Sequence, residues 1–121
     1  MKIKNFKLVE VKNQQIIEID YLGDIFDLHN AAEFLKVEYA IKTCILTLFW
    51  NYYFNGKNII PIQLKFEGTN YFEISPRDNE MPKEEDDCLE EIIYGEKFEF
   101  RFMGGMKIVV GAEEVSFKKT E

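Results

Sequence analysis

Histidine and cysteine are scarce in this chain, whose 121 residues include one histidine and two cysteines. A single histidine, His29, cannot supply a zinc triad of histidines, and two cysteines cannot build a disulfide framework. The sequence also lacks G-x-S-x-G, H-E-x-x-H and a glycine-rich phosphate loop, which are the short motifs that carry catalytic chemistry. We therefore expect a protein that is not an enzyme, with no catalytic residues, no cofactor and no metal site.

Each cysteine has neighbours that disfavour reactivity. Cys44 lies inside an apolar run, which is typical of a small hydrophobic residue of the core. Cys88 follows four consecutive acids, whose negative charge disfavours a thiolate. We expect a buried Cys44 and a Cys88 that is not a nucleophile.

Clusters of lysine and arginine and long hydrophobic runs are also missing. The formal net charge is −7, which argues against binding to nucleic acid or to an anionic membrane. The most apolar stretch, residues 37–54, is interrupted by Glu38, Lys42 and Asn51, so it predicts a core element rather than a membrane span. The N-terminus has no apolar region with a small-residue cleavage site, so it indicates no signal peptide. These absences predict a cytoplasmic protein.

Apolar residues are plentiful, and their spacing predicts strands. With 46% hydrophobic and 15% aromatic residues, the chain has enough apolar surface for one domain spanning residues 1–121. Apolar and polar side chains alternate over residues 98–102 and 106–110, and Gly104-Gly105 lies between them as a turn. Residues 60–66 alternate in the same way.

Residues 28–37 predict the one helix. Asp27 can cap its N-terminus, and one helical face is formed by Leu28, Ala31, Ala32 and Leu35. Residues 38–54 have the length of a helix, but their β-branched and aromatic composition favours a long strand. We therefore predict an α+β, mostly β fold, in which antiparallel strands in successive hairpins form a sandwich or a curved meander with one short helix near residues 28–37.

Negative charge is concentrated in residues 79–91, NEMPKEEDDCLEE, which we call the acidic segment. It holds seven acids and one base; subtracting these from the totals of 22 and 15 leaves 15 acids and 14 bases elsewhere. The rest of the chain is therefore nearly neutral. The candidate partner-binding residues are the seven acids, Glu80, Glu84, Glu85, Asp86, Asp87, Glu90 and Glu91.

Two interpretations of the acidic segment stay open at this point. It can be a docking surface for a basic protein, since complementary charge speeds association, or a solvated loop that keeps the protein soluble. Metal binding is disfavoured because calcium loops alternate their ligands and place glycine at a sharp turn. A separate alternative is a small-molecule cavity, lined by Trp50, Tyr52, Tyr53 and Phe54 and facing Phe98, Phe100 and Phe102.

Several stretches carry a resemblance to a known class of proteins. They are ILTLFW, IQLKFEGTNYFEI, the acidic proline-containing loop that leads into CLEEI, and FEFRFMGGMKIVVGAEEVSF. Over residues 40–118 the chain resembles small acidic bacterial immunity proteins of contact-dependent growth inhibition and related polymorphic-toxin systems. The resemblance carries over no functional residue by position.

The resemblance implies a non-enzymatic cytoplasmic protein that binds one cognate toxin domain tightly, often a nuclease, and fills its active site or blocks an exosite. A basic toxin fits the acidic segment, although that contact is inferred from charge alone. The leading prediction is therefore an immunity protein that neutralises its toxin by protein–protein contact. The alternatives are a small-molecule-binding β domain and, behind it, a metal-dependent enzyme.

Overall fold

The computed structural model describes residues 1–120, which form twelve β-strands and one 3-10 turn. The strands are β1 Lys2–Ile3, β2 Lys7–Leu8, β3 Glu18–Tyr21, β4 Asp24–Asp27, β5 Ala32–Ala40, β6 Ile45–Phe54, β7 Asn58–Glu67, β8 Tyr71–Ser75, β9 Leu89–Tyr94, β10 Phe98–Phe102, β11 Lys107–Gly111 and β12 Glu114–Lys119; the 3-10 turn is Lys83–Glu85.

The strands form three sheets. A five-stranded sheet has the order β1-β12-β7-β6-β5, a four-stranded sheet β8-β11-β10-β9, and a three-stranded sheet β2-β3-β4. Every pair is antiparallel except β1 with β12. The predicted mostly β fold with antiparallel hairpins is confirmed.

The five-stranded and four-stranded sheets pack face to face through aromatic side chains. The ring of Phe66 lies 5.6 Å from that of Phe98 and 6.2 Å from that of Phe100, measured between centroids. Trp50 lies 6.1 Å from Phe100 across the two sheets and 5.1 Å from Phe34, its partner on the neighbouring strand of its own sheet. All five side chains are buried. Of the two predicted architectures, the sandwich is therefore the one observed.

The three-stranded sheet covers a further part of the same inner face. Phe26 on β4 contacts Phe117 on β12 and Tyr52 on β6, each at 4.9 Å between ring centroids. Phe117 lies two residues beyond Val115, the partner of Phe66, so it points to the same side of the sheet. One face of the five-stranded sheet thus supports both of the other sheets.

The helix predicted over residues 28–37 is wrong, because this stretch contains a turn followed by β5. Asp27 does cap, but it caps the turn: its Oδ1 accepts the N–H groups of His29 at 3.0 Å and Asn30 at 2.8 Å. Between Phe34 and Lys36 the strand register shifts by a β-bulge. The extra residue disturbs the two-residue alternation that identifies a strand, and the remaining pattern imitates a helix.

The long strand predicted over residues 38–54 is confirmed only in part. β6 does cover Ile45–Phe54, but a four-residue turn, 41–44, separates it from β5. Cys44 ends this turn with a φ of 54° and is exposed. The expectation of a buried Cys44 is therefore wrong, since the apolar run is continuous in sequence while the chain reverses direction within it.

Candidate functional site

The acidic segment connects β8 to β9 and follows a fixed path along the edge of the sandwich. The N–H of Met103 donates to the carbonyl oxygen of Cys88 at 2.8 Å. The N–H of Gly104 donates to the carbonyl oxygen of Glu85 at 3.1 Å. These bonds fasten the segment to the turn between β10 and β11. A solvated loop makes few such contacts, so the segment is an ordered part of the fold.

A further backbone hydrogen bond joins the acidic segment to the five-stranded sheet. The N–H of Phe34 on β5 donates to the carbonyl oxygen of Asp87 at 2.9 Å. Because β5 is an edge strand, this bond occupies a donor that its sheet leaves free. The segment therefore bridges the two large sheets at one end of the sandwich.

Glycine is required where the segment meets the β10–β11 turn. A Cβ atom at position 104 would lie 2.3 Å from Oδ1 of Asp86 and 3.0 Å from its Cα atom. At position 105 the φ angle is +94°, and a Cβ atom would lie 2.7 Å from that of Asp78. Gly104-Gly105, which the sequence identified only as a turn, is thus also the surface on which the acidic segment rests.

An ion pair with Arg77, which precedes the segment, neutralises one of the seven predicted acids. Nε of Arg77 donates to both carboxylate oxygens of Asp86, at 2.9 and 2.8 Å. A second guanidinium nitrogen of Arg77 donates to the carbonyl oxygen of Met81 at 2.8 Å. Asp86 is therefore a structural residue that holds the segment in shape.

Glu91 is also paired. It lies on β9 opposite Arg101 of β10, and its Oε1 is 3.6 Å from a guanidinium nitrogen of that arginine. The hydrogen bond from Arg101 to Glu99, with smaller contributions from the charges of Glu91 and Glu90, raises the pKa of Arg101 above its usual value. The arginine remains charged, and the carboxylate of Glu91 forms an ion pair with it.

The other five predicted acids form no ion pair within the described residues, although the charge of Glu90 contributes to the raised pKa of Arg101. Within residues 1–120 their carboxylates make no salt bridge and no side-chain hydrogen bond. Three are exposed and two, Glu85 and Glu90, are half-buried. We call this set the free carboxylates: Glu80, Glu84, Glu85, Asp87 and Glu90. The backbone that carries them is held by hydrogen bonds to both large sheets.

The free carboxylates do not converge on a point. No three side chains of histidine, cysteine, aspartate or glutamate in residues 1–120 are arranged to hold a metal ion. Since a hard cation such as Ca²⁺ takes six to eight oxygen ligands around one centre, the arrangement suits a broad charged contact better than a coordinated ion.

His29 and Cys88 lie side by side, a proximity that the sequence did not indicate. Sγ of Cys88 is 3.6 Å from Nδ1 of His29, and the same nitrogen is within hydrogen-bond distance of the carbonyl oxygen of Leu89. Burial raises the pKa of the Cys88 thiol, and the charges of Glu85 and Asp87 raise it further. A protonated thiol is a poor nucleophile, so this pair lacks the activation that catalysis needs.

The predicted aromatic cavity is occupied by the protein itself. Trp50, Phe98, Phe100 and Phe102 are each at most 2% exposed and fill the space between the sheets. Two other members of the predicted set, Tyr52 and Phe54, instead line an open cleft of about 440 Å³ together with Phe26 and Ile60. Asp24 and Lys119 stand at this cleft, with their charged atoms 3.8 Å apart.

Comparison with known proteins adds no assignment. No family model, curated protein or solved structure matches this chain. No helix in the described residues 1–120 is long and apolar enough to cross a lipid bilayer.

The close approach at Gly104 yields a first test. We expect Gly104→Ala to lower the free energy of unfolding by about 1–3 kcal/mol, because the added methyl group overpacks against Asp86. Gly95→Ala is the matched control, since a Cβ atom there meets no atom within 4 Å. Urea denaturation of both variants measures the difference, and equal stabilities would contradict the fixed path of the segment.

The two thiols should differ in reactivity. Cys44 is exposed, whereas the Cys88 thiol has a raised pKa, so we expect iodoacetamide to alkylate Cys44 several-fold faster. Peptide mass spectrometry after a brief reaction at pH 8 gives the two rates. Repeating the reaction in urea should remove the difference, and a faster Cys88 in the folded protein would overturn its assignment as an unreactive thiol.

Proposed function

We propose that this chain is a toxin-neutralising immunity protein that acts in the cytoplasm by binding one basic toxin domain through its acidic segment. The observation that carries the proposal is the set of five free carboxylates on a backbone tied to both large sheets. The resemblance of residues 40–118 to immunity proteins supports the same function.

The ordered path of the segment favours recognition over mere solubility. A solubilising loop needs charge but no fixed geometry. An interface benefits from fixed geometry, because a backbone that is already ordered loses less conformational entropy on binding. The hydrogen bonds that Met103 and Gly104 make to the segment provide that order before any partner arrives.

The charge of the segment indicates the chemistry of its partner. A nuclease must present lysine and arginine side chains to hold the phosphate backbone of its substrate. Glu80, Glu84 and Asp87 are exposed and carry the opposite charge, so they can occupy the same basic side chains. Complementary charge of this kind speeds association and selects partners more than it adds affinity.

Removing charge from the segment tests the proposal. We expect the triple variant Glu80→Gln, Glu84→Gln, Asp87→Asn to associate about tenfold more slowly at low salt, with a flatter salt dependence. The partner has first to be identified: the gene immediately upstream is examined for a secreted toxin, and the C-terminal domain of that toxin is then used in the assay. Stopped-flow measurements at several ionic strengths give the rates, and survival of cells that co-express both chains gives the biological readout.

A second triple variant controls for net charge. Glu10, Glu96 and Glu113 are also exposed, and changing them to Gln brings the net charge from −7 to the same value of −4, since each set removes three acids. If both variants slow association equally, only overall charge matters. If neither does, the segment is a bystander and the proposal fails.

The open cleft supports a second candidate function, the binding of a small apolar molecule. Its volume of about 440 Å³ lies within the range of roughly 300–1,000 Å³ that is typical of ligand sites. We expect 1-anilinonaphthalene-8-sulfonate to fluoresce on binding there, and Phe54→Ser to remove most of that signal. Ile41→Ser, at a side chain that is 80% exposed in the turn between β5 and β6 and does not line the cleft, is the control; if both variants bind the dye like the unaltered protein, the cleft is not a binding site.

A further inference from the structure

β8 is an edge strand with unusually little protection. It pairs with β11 alone and ends the four-stranded sheet. Tyr71, Phe72 and Ile74 are 42%, 41% and 45% exposed. The register with β11 is continuous from Tyr71 to Ser75, so no bulge twists the strand away from a neighbour. An unpaired edge with exposed apolar side chains and no bulge can pair with another chain, although Glu73 places one charge in the middle of this strand.

The corresponding edge of the five-stranded sheet is guarded. β5 has a bulge after Phe34, and the N–H of that residue is taken by Asp87 of the acidic segment. Further along, Lys36 and Glu38 form an ion pair with 2.7 Å between nitrogen and oxygen. Bulges, charges and a covering loop are the usual means of closing an edge. The contrast between the two edges makes β8 the available one.

The side of β8 that faces the other large sheet extends the hydrophobic core toward the open edge. Phe72 and Ile74 are paired with Val110 and Ile108 of β11, both buried, so they lie on the same side of the sheet. On the opposite sheet Tyr39 of β5 lies against Phe72, with 4.7 Å between ring centroids. An added strand would bury alternate side chains beside these three residues.

The acidic segment begins at the end of this same strand. Ser75, the last residue of β8, is followed within five residues by Glu80, the first free carboxylate. A chain laid antiparallel along β8 therefore has its N-terminal end at the acidic segment. The acidic segment therefore follows β8 at the end where such a chain would begin.

We propose that β8 accepts an extended segment of the basic partner as an added antiparallel strand, with apolar side chains at alternate positions and lysine or arginine at its N-terminal end over the free carboxylates. This proposal rests on the proposed function and names its mode of binding. Backbone hydrogen bonds to β8 supply affinity in such an arrangement, and the alternate side chains supply specificity.

Charge favours a basic partner over a second copy of this chain. Antiparallel pairing of two β8 strands that aligns Phe72 with Ile74 of the other copy also places Glu73 opposite its equivalent, and like charges directly opposite are destabilising. Each copy carries a net charge of −7, which opposes self-association further.

The test uses a fluorescein-labelled peptide with two N-terminal lysines followed by alternating threonine and valine. Fluorescence anisotropy measures its affinity for the full chain. We expect Ile74→Lys to weaken binding about tenfold, a loss of roughly 1.4 kcal/mol. Ile59→Lys is the matched control, because Ile59 is 54% exposed on a strand of the other large sheet and receives the same charge. It should change the affinity less than twofold.

Backbone pairing is tested on the unaltered protein, so the result does not depend on the folding of a variant. Two further peptides carry N-methyl groups on either the valines or the threonines, which blocks one backbone edge of the peptide in each case. We expect one of them to lose binding and the other to keep it. If both bind as well as the parent peptide, or if the parent peptide does not bind, strand addition is overturned.

The remaining outcomes separate this proposal from the proposed function. If Ile74→Lys leaves peptide affinity unchanged while the triple variant at Glu80, Glu84 and Asp87 abolishes it, strand addition fails and charge-based docking stands. If light scattering shows a dimer that Ile74→Lys dissociates, the occupant of β8 is a second copy and the proposal is wrong. Circular dichroism confirms that each variant is folded.

Discussion

The inner face of the five-stranded sheet is the surface on which the other parts of the protein depend. Phe66 and Trp50 on this face pack against Phe98 and Phe100 of the four-stranded sheet. Phe117, further along the same face, packs against Phe26 of the three-stranded sheet. Loss of contact at this face would therefore uncover aromatic side chains of both covering sheets. The position of the acidic segment follows from this packing, since the β10–β11 turn that supports it is placed by β10.

The acidic segment both stabilises the fold and carries the charge on which the proposed function depends. The bond from Phe34 to Asp87 closes a free strand edge, and the same turn of chain carries unpaired carboxylates outward. Arg77 neutralises Asp86, which lets several like charges lie close together without melting the segment. The two large sheets thus have edges of different character: β5 is closed in part by the segment, and β8 is left open.

Local patterns in the sequence predicted the hairpins well and the long-range contacts poorly. Residues 98–110 alternate around Gly104-Gly105 and form the expected hairpin, because strand periodicity and turn chemistry are both local properties. Residues 28–37 were misassigned since the bulge after Phe34 breaks the alternation. Two of the seven predicted site residues, Asp86 and Glu91, pair with arginines. The sequence could not predict these pairs, because Arg77 and Arg101 approach the two acids only in the folded chain. The neighbouring Cys88 and His29, which lie 59 residues apart in sequence, could not be paired for the same reason.

The path of the chain between sheets bears on how the protein folds during synthesis. β12 inserts between β7 and β1, and the side chain of Asn5 forms two hydrogen bonds with the backbone of Phe117, 112 residues away. Contacts this distant in sequence are slow to form, because a large loop must close before they stabilise anything. On the ribosome, Trp50 and Phe66 emerge well before β10 and β12 exist to cover them. The nascent chain therefore carries an exposed aromatic surface until β10 and β12 have been made, and exposed apolar surface of this kind makes an incomplete chain prone to aggregation.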